Sequence, residues 1–316
     1  MQVLITGMHG FAGRALADLL LRETDWRIAG VSRTSQPPPS DARLSWIQLD
    51  LTNRDGVLRL IGELRPDAIV HMAAQTHVPT SWEAPWDTFE QNVHPQLSIF
   101  QAVLAARINP RILVVTSNEV YGAPQSHELP FRESQPFRPN NPYAVSKAAQ
   151  DLMARQYHIS HNLDVCVARP FNHFGPGQAP RFVIPGFAQQ LAEINAGLRE
   201  PVMRLGNMAA QRDFTDVRDV VRAYLSILRS GQSGCAYNVC SGAPRSIQLV
   251  LDTMLLLAGL QVEQVSDPSK FRPIDTPVSF GDHALLTGAA GWQPEIPFET
   301  TLADVLEEAR AQVAIR

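Results

Sequence analysis

Two hydrophobic periods alternate through the first half of this chain. Short apolar runs at residues 3–5, 28–31, 46–49, 68–72, 112–115 and 165–168 predict strands, and their near-continuous apolar character suits strands covered on both faces. Between them, apolar residues recur at helical spacing. Residues 11–21 carry Leu16, Leu19 and Leu20 on one side; residues 57–64 and 92–106 follow, the latter with Leu97, Phe100, Val103 and Leu104. Residues 142–158 form another such stretch, with Pro142 suited to a first helical turn. Strands alternating with helices predict an α/β fold: a Rossmann-type, doubly wound parallel sheet.

After Ala168 the pattern breaks. Residues 169–213 are rich in proline and glycine around one amphipathic helix near 187–195. A helix at 217–228 and a strand at 236–239 restore the earlier rhythm, and the remainder holds further helices. The reading is two units built from split segments: 1–168 with 214–239 as the cofactor-binding unit, and 169–213 with 240–316 as a smaller α/β substrate lobe. Pro37-Pro38-Pro39 reads as a loop.

Composition narrows the class. The chain has 316 residues, 45% hydrophobic and 18% charged, ordinary for a globular protein. A net charge of −4 supplies no basic field for nucleic acid. The apolar run 249–260 contains Asp252 and is too short to span a membrane, and no leader precedes the first strand. Cys166, Cys235 and Cys240 form no CxxC pair and read as reduced thiols, so the expected location is cytoplasmic. His158 and His161 lack the ligands that would complete a metal site, and His71, His77 and His173 read as core or pocket residues.

Chemistry enters at two motifs. Thr6-Gly7-Met8-His9-Gly10-Phe11-Ala12-Gly13 joins the first strand to the first helix. Gly7 allows a tight turn, Gly10 lets backbone amides approach a pyrophosphate, and Gly13 lets the helix pack closely on the sheet. His9 reads as a loop side chain. After the second strand, Gly30-Val31-Ser32-Arg33-Thr34 has no carboxylate for a ribose 2′-hydroxyl, while Ser32 and Arg33 suit a 2′-phosphate. NADP(H) is therefore preferred over NAD(H), although a merely solvent-exposed Arg33 would leave NAD(H) possible. Asp50 and Leu51 follow the third strand and Ala73, Ala74 and Gln75 the fourth, at the strand ends where such cofactors lie.

The second motif is Tyr143-Ala144-Val145-Ser146-Lys147. Tyr143 and Lys147 share a helix face, so the ammonium is expected to lower the phenol's pKa and make it a proton shuttle. Ser117, in Thr116-Ser117-Asn118-Glu119 after the fifth strand, would polarise the same oxygen.

TGMHGFAG, SNEVYG and YAVSK together resemble the extended short-chain dehydrogenase/reductases over essentially the whole chain. The resemblance implies that Ser117, Tyr143 and Lys147 are catalytic. The stretch from Arg169 to Gln178, the segment from Arg212 to Asp219 and Tyr237-Asn238-Val239-Cys240-Ser241-Gly242 are similar to the GDP-6-deoxy-D-mannose reductase group. That similarity implies reduction of a GDP-linked 4-keto-6-deoxy sugar at C4. It also implies nucleotide-sugar contacts at Asn172, Val183, Arg212 and Arg272 and a homodimer through helices 92–106 and 142–158; apart from the similarity, the Asp275 carboxylate suits a ribose hydroxyl. The rival is a GDP-mannose 4,6-dehydratase, with Glu119 as base. Against it stand Asn118, which is no carboxylic acid, and Phe-Gly-Pro-Gly-Gln after Asn172-His173, where that dehydratase has paired arginines. A non-catalytic NADP-binding protein on the same fold would not need the Ser, Tyr and Lys together.

Overall fold

A computed structural model describes residues 1–36, 40–268, 271 and 276–315. The proline run 37–39, Arg272 and Asp275 lie outside the described residues. The chain runs β1 (Gln2–Thr6), α1 (Phe11–Glu23), β2 (Arg27–Ser32), β3 (Leu44–Gln48), α2 (Arg54–Leu64), β4 (Ala68–His71), α3 (Val78–Glu83), α4 (Pro85–Ala105), β5 (Arg111–Val115), α5 (Pro142–His161) and β6 (Val165–Pro170). It continues through β7 (Asn172–Phe174), α6 (Val183–Asn195), β8 (Val202–Leu205), β9 (Gln211–Asp216), α7 (Val217–Ser230), β10 (Ala236–Val239), β11 (Pro244–Ser246), α8 (Ile247–Ala258), β12 (Glu263–Ser266), β13 (Val278–Ser279), α9 (Ala284–Ala290) and α10 (Phe298–Ala314).

Seven parallel strands form the main sheet in the order β10-β6-β5-β4-β1-β2-β3. This is the Rossmann-type sheet that the alternating periods predict. Its direction of growth reverses between β1 and β4, and at such a switch the loops diverge to leave a crevice at the carboxyl ends of the strands. Residues of alternating parity feed two cores. Val3, Ile5, Val70 and Leu113 pack with Leu16, Leu20, Val220 and Tyr224 of α1 and α7. Leu4, Ile69, Ile112 and Val114 pack with Ile61, Phe100 and Ala154 of α2, α4 and α5.

A second, smaller sheet is built on β9, which pairs with β7, β11 and β13; β8 pairs with β12 apart from it. Its core joins Phe174, Met203 and Phe214 to apolar residues of α6, α8 and α10. The C-terminal α9 returns to the first core through Leu286, and Trp292 follows it there.

Element limits differ from the sequence reading in one instructive place. α4 starts at Pro85, not at 92. Pro85 opens the helix as its first residue, but the added turns carry Trp86, 81% exposed, so no core-facing stripe announced them. Among the described residues no helix is long and apolar enough to cross a membrane, and no cluster of three metal-ligating side chains occurs. The three cysteines are free.

Candidate active site

The site forms where β1, β4, β5 and β6 end. Gly7 has φ +73°, and a Cβ there would lie 2.8 Å from the amide of Ala73, so the turn is pressed against the loop after β4. A Cβ on Gly13 would overlap the Gly7 carbonyl and the Met8 backbone. Gly13 therefore closes the helix onto its own turn, and not onto the sheet as the sequence reading had it. At Gly10 a Cβ would meet only the Gly7 carbonyl, at 3.1 Å, so its outer side is open to a ligand. Side chains cap α2, α5, α7 and α8, whereas α1 has no side-chain cap at Gly10. Free amides at a positive helix end beside an open glycine fit a pyrophosphate, so the turn suits a dinucleotide.

The adenosine side lies along the ends of β2 and β3. Ser32 is half-buried, and its hydroxyl accepts hydrogen bonds from the Thr34 amide (3.2 Å) and Gln36 Nε2 (3.1 Å). Arg33 is exposed and has no carboxylate in salt-bridge range among the described residues. Asp50 accepts from the backbone amide and hydroxyl of Thr52, and these bonds, with the Arg33 charge, hold its pKa below the ordinary range against the opposing effect of burial. The Leu51 side chain is buried in the core, so a ligand there would meet Asp50 or backbone.

Ser117, Tyr143 and Lys147 converge, and all three are less than a tenth exposed. Ser117 leads a short 3-10 turn and accepts from the Glu119 amide at 3.2 Å. Its side chain also hydrogen-bonds the Tyr143 phenol. Lys147 Nζ donates to the Val115 carbonyl at 3.0 Å and lies 6.0 Å from the centre of the Tyr143 ring. Burial lowers the lysine's pKa to about 7. Burial also pushes the phenol above its ordinary range; the bond from Ser117 opposes this and the Glu119 charge adds to it. The expectation that the ammonium would pull the phenol down is thus reversed, because desolvation of the phenolate dominates.

Neighbouring polar groups hold this trio. Asn141 caps α5 by accepting from Ala144 N (2.8 Å) and donates to Glu119 Oε2 (3.0 Å). Asn118 Nδ2 donates to Ser279 Oγ of β13 at 3.0 Å. Asn92 accepts from the Gln75 amide (2.7 Å) and donates to Ser146 Oγ (2.9 Å), which donates to the Tyr143 carbonyl. Below them the buried ion pair of Arg169 and Asp151 (2.8 Å) ties β6 to α5, and Arg169 also donates to the Tyr121 hydroxyl. His71 bonds Thr6 Oγ1 through Nδ1 at 2.8 Å, and burial, aided by Lys147, lowers its pKa to about 3, so it is a neutral core residue.

The second sheet reaches the turn through β7. His173 stacks on Phe11 with ring centres 6.0 Å apart, and a Cβ on Gly175 would crowd Val217 and Phe11. Asn172 and Val183 are exposed. Arg212 is 9% exposed, and its Nη1 donates to the carbonyls of Gln211 and Thr276, so most of the guanidinium is held by protein. The sequence reading missed Asn92, Asn141 and Ser279. Asn141 had a local signal, an asparagine directly before a helix-opening proline. Asn92 and Ser279 act on partners 54 and 161 residues away, and no local pattern marks them.

A family model described as GDP-mannose 4,6 dehydratase matches residues 4–305. The chain is 36% identical over 313 residues to the GDP-6-deoxy-D-mannose reductase of Pseudomonas aeruginosa, covering 99% of this chain and 98% of that one. It is 26% identical to a GDP-mannose 4,6-dehydratase of Vibrio cholerae over 99% of this chain and 95% of that one. Among solved structures, RMD from Pseudomonas aeruginosa complexed with NADPH superposes with a TM-score of 0.86 at 34% identity, covering 98% of this chain and 99% of that one.

Proposed function

The chain belongs to the GDP-mannose 4,6 dehydratase family, and from that premise we propose that it reduces the C4 ketone of GDP-4-dehydro-6-deoxy-D-mannose to GDP-D-rhamnose, using NADPH. The observation that carries this reading is the buried Ser117–Tyr143–Lys147 trio beside an asparagine whose amide is already donated to Ser279. The reductase and NADPH-complex relatives support it. NADPH, when bound, supplies the hydride. The turn from Gly7 to Gly13 with Phe11 and Ala12, Ser32, Arg33, Asp50, and the backbone at Ala73–Gln75 would hold it.

Tyr143 then donates its phenolic proton to the oxygen of the reduced carbon. Burial keeps that phenol protonated at neutral pH, the state a proton donor needs in the direction of reduction. Ser117 donates a hydrogen bond to the same oxygen, and the Lys147 ammonium stabilises the phenolate left behind. Asn172, Val183, Arg212 and Arg272 would hold the nucleotide-sugar. We assign 1–168 with 214–239 to the cofactor and 169–213 with 240–316 to the sugar nucleotide. A dehydratase must also remove the C5 proton and protonate the departing C6 hydroxyl. Glu119 could serve as base, but its carboxylate already receives a bond from Asn141, and position 118 offers no acid.

The test is product identification by NMR after incubation with NADPH and GDP-4-dehydro-6-deoxy-D-mannose, with GDP-D-rhamnose the expected product. Anaerobic incubation with GDP-mannose and NADP⁺ should leave the sugar unchanged; a 4-keto-6-deoxy product would transfer the assignment to the dehydratase.

The assembly we infer is a homodimer in a reducing compartment such as the cytoplasm. α4 and α5 pack together and leave Trp86, Phe89 and Leu97, and Val145, Leu152 and Ile159, exposed, the last three at seven-residue intervals. Pairing these stripes about a two-fold axis gives a four-helix contact. Leu152→Glu should shift the sedimentation coefficient from dimer to monomer; an unchanged value removes this face from the assembly.

A further inference from the structure

The phosphate turn carries a cationic feature that the proposed function leaves unused. His9 is exposed on the turn, and its ring meets Trp46 of β3 edge-on, with centres 6.3 Å apart. Trp46 lies in register with Gly30 of β2, two residues before Ser32. A Cβ on Gly30 would strike both the Met8 side chain and the Trp46 ring, so the turn is folded down over the end of β2. Arg14, four residues into α1, bends back to this point. Its Nε donates to the His9 carbonyl at 3.0 Å and its Nη2 to the His9 ring at 3.1 Å. Among the described residues no carboxylate lies in salt-bridge range of Arg14, as is also true of Arg33.

Among the described residues at least nine arginines are in ion pairs, of which Arg43, Arg111, Arg169, Arg218 and Arg222 pair within 3 Å, whereas Arg14 is held only by its hydrogen bonds to His9. An arginine fixed by two hydrogen bonds but left without an anion has its orientation set in advance and its charge uncompensated. That is the state suited to a ligand anion, since little side-chain entropy remains to be lost on binding. Around the end of β2 the chain thus gathers two guanidiniums with no described carboxylate in salt-bridge range, an imidazole and the Ser32 hydroxyl; from Gly30 to Thr34 there is no acid, and Asp50 at the end of β3 feels the Arg33 charge without pairing with it. A phosphate monoester is a dianion with several acceptor oxygens and matches this set. A ribose hydroxyl, which is best bound by a carboxylate, does not.

We propose that Arg14, braced by His9, is the second cation of a 2′-phosphate subsite whose first cation is Arg33, and that it determines selectivity for NADP(H) over NAD(H). The inference rests on the NADPH reading and adds two residues to it. Arg14 acts on the ligand, and His9 positions Arg14.

Isothermal titration with two probes, adenosine 2′,5′-bisphosphate and adenosine 5′-monophosphate, tests it without any turnover. A charged hydrogen bond is worth about 1.5–3 kcal/mol, so Arg14→Met should weaken the bisphosphate roughly 10- to 100-fold while changing the monophosphate by less than about 2-fold. His9→Ala should weaken the bisphosphate by about 3- to 10-fold with the same selectivity. Arg14→Lys should fall between, because an ammonium keeps the charge but not the fork. Equal loss for both probes would mean that Arg14 only supports the turn, and an unchanged bisphosphate affinity would mean that it does nothing there; either result overturns the proposal. The NADPH reading fails separately. Should the unaltered protein bind both probes alike, that reading falls. If Arg33→Met abolishes the discrimination and Arg14→Met does not, the reading stands and this inference alone is lost.

Discussion

The two sheets of this protein are assembled by different rules. In the main sheet every strand is parallel, and helices lie between most of its consecutive strands, β2 and β3 excepted. Its strands, the edge strand β3 apart, are buried on both faces and carry their own apolar runs, and the helices between them declare their inner faces by spacing. The second sheet is made of strands of two to six residues whose partners come from 172–174, 211–216, 244–246 and 278–279. Polar contacts hold it as much as apolar ones. The buried Asp213 carboxylate gathers the amides of Ser241, Gly242 and Gly281 and the Ser241 hydroxyl. Across from it, Asn238 of main-sheet strand β10 donates to the carbonyls of Phe131 and of Asp282, which follows β13. The main-sheet side of the site, proposed for the cofactor, therefore rests on local pattern, and the second-sheet side, proposed for the sugar nucleotide, on long-range satisfaction of polar groups.

If that contrast is right, substitutions on the two sides should fail in different kinetic terms. The largest effect belongs to the cofactor side. Tyr143→Phe removes the proton donor and keeps the ring, so kcat should fall by about 10³-fold or more, with the affinity for NADPH, read by fluorescence titration, within about 3-fold of the starting value. Retained turnover would take Tyr143 out of the mechanism and leave the two sides undistinguished.

A smaller effect is expected across the site. Arg212→Met removes a guanidinium on β9, the central strand of the second sheet, that bridges the Gln211 and Thr276 carbonyls. KM for the sugar nucleotide should rise roughly 10- to 50-fold, while KM for NADPH stays within about 2-fold, since binding common to ground and transition state is what is lost. Steady-state kinetics with each substrate varied in turn reads this directly. A fall in kcat with both KM values unchanged would mean that the second sheet shapes the chemistry itself, and the contrast would have to be redrawn.

The same contrast explains what could be read from the chain. The doubly wound parallel sheet, the glycine turn and the Tyr143–Lys147 pair all follow from spacings of a few residues. Gly7 and Gly13 were legible because a turn between a strand and a helix needs them, although what Gly13 avoids is the turn's own backbone and not the sheet. The first two turns of α4 were not legible, because Trp86 faces outward and gives no periodic signal. Nor was the bond from Asn118 to Ser279, which separates this site chemically from one with an acid at 118. It joins residues 161 positions apart, and neither has a neighbour that announces the other. The pKa of Tyr143 was misjudged for a related reason: spacing along a helix reveals the ammonium but not how completely the fold excludes water from the phenol.

The smallest expected effect concerns Lys147 and sharpens the claim that the cofactor side is dry. The folded protein holds this proton only to about pH 7, because burial penalises the ammonium, whereas the unfolded chain holds it to the ordinary lysine value of 10.5. Between those limits the unfolded state binds the extra proton. The penalty on folding is therefore full at and below pH 7 and fades as pH rises toward 10.5. Without cofactor, Lys147→Met should melt above the unaltered protein at pH 7 by roughly 3 °C, and this gap should shrink at pH 9. Catalysis should run the other way: the ammonium that destabilises the fold is the one that steadies the Tyr143 phenolate, so kcat/KM for reduction should decline on the alkaline side with an apparent pKa near 7. A melting gap independent of pH would show that water reaches the ammonium, and the reversed shift of its tyrosine neighbour would lose its cause.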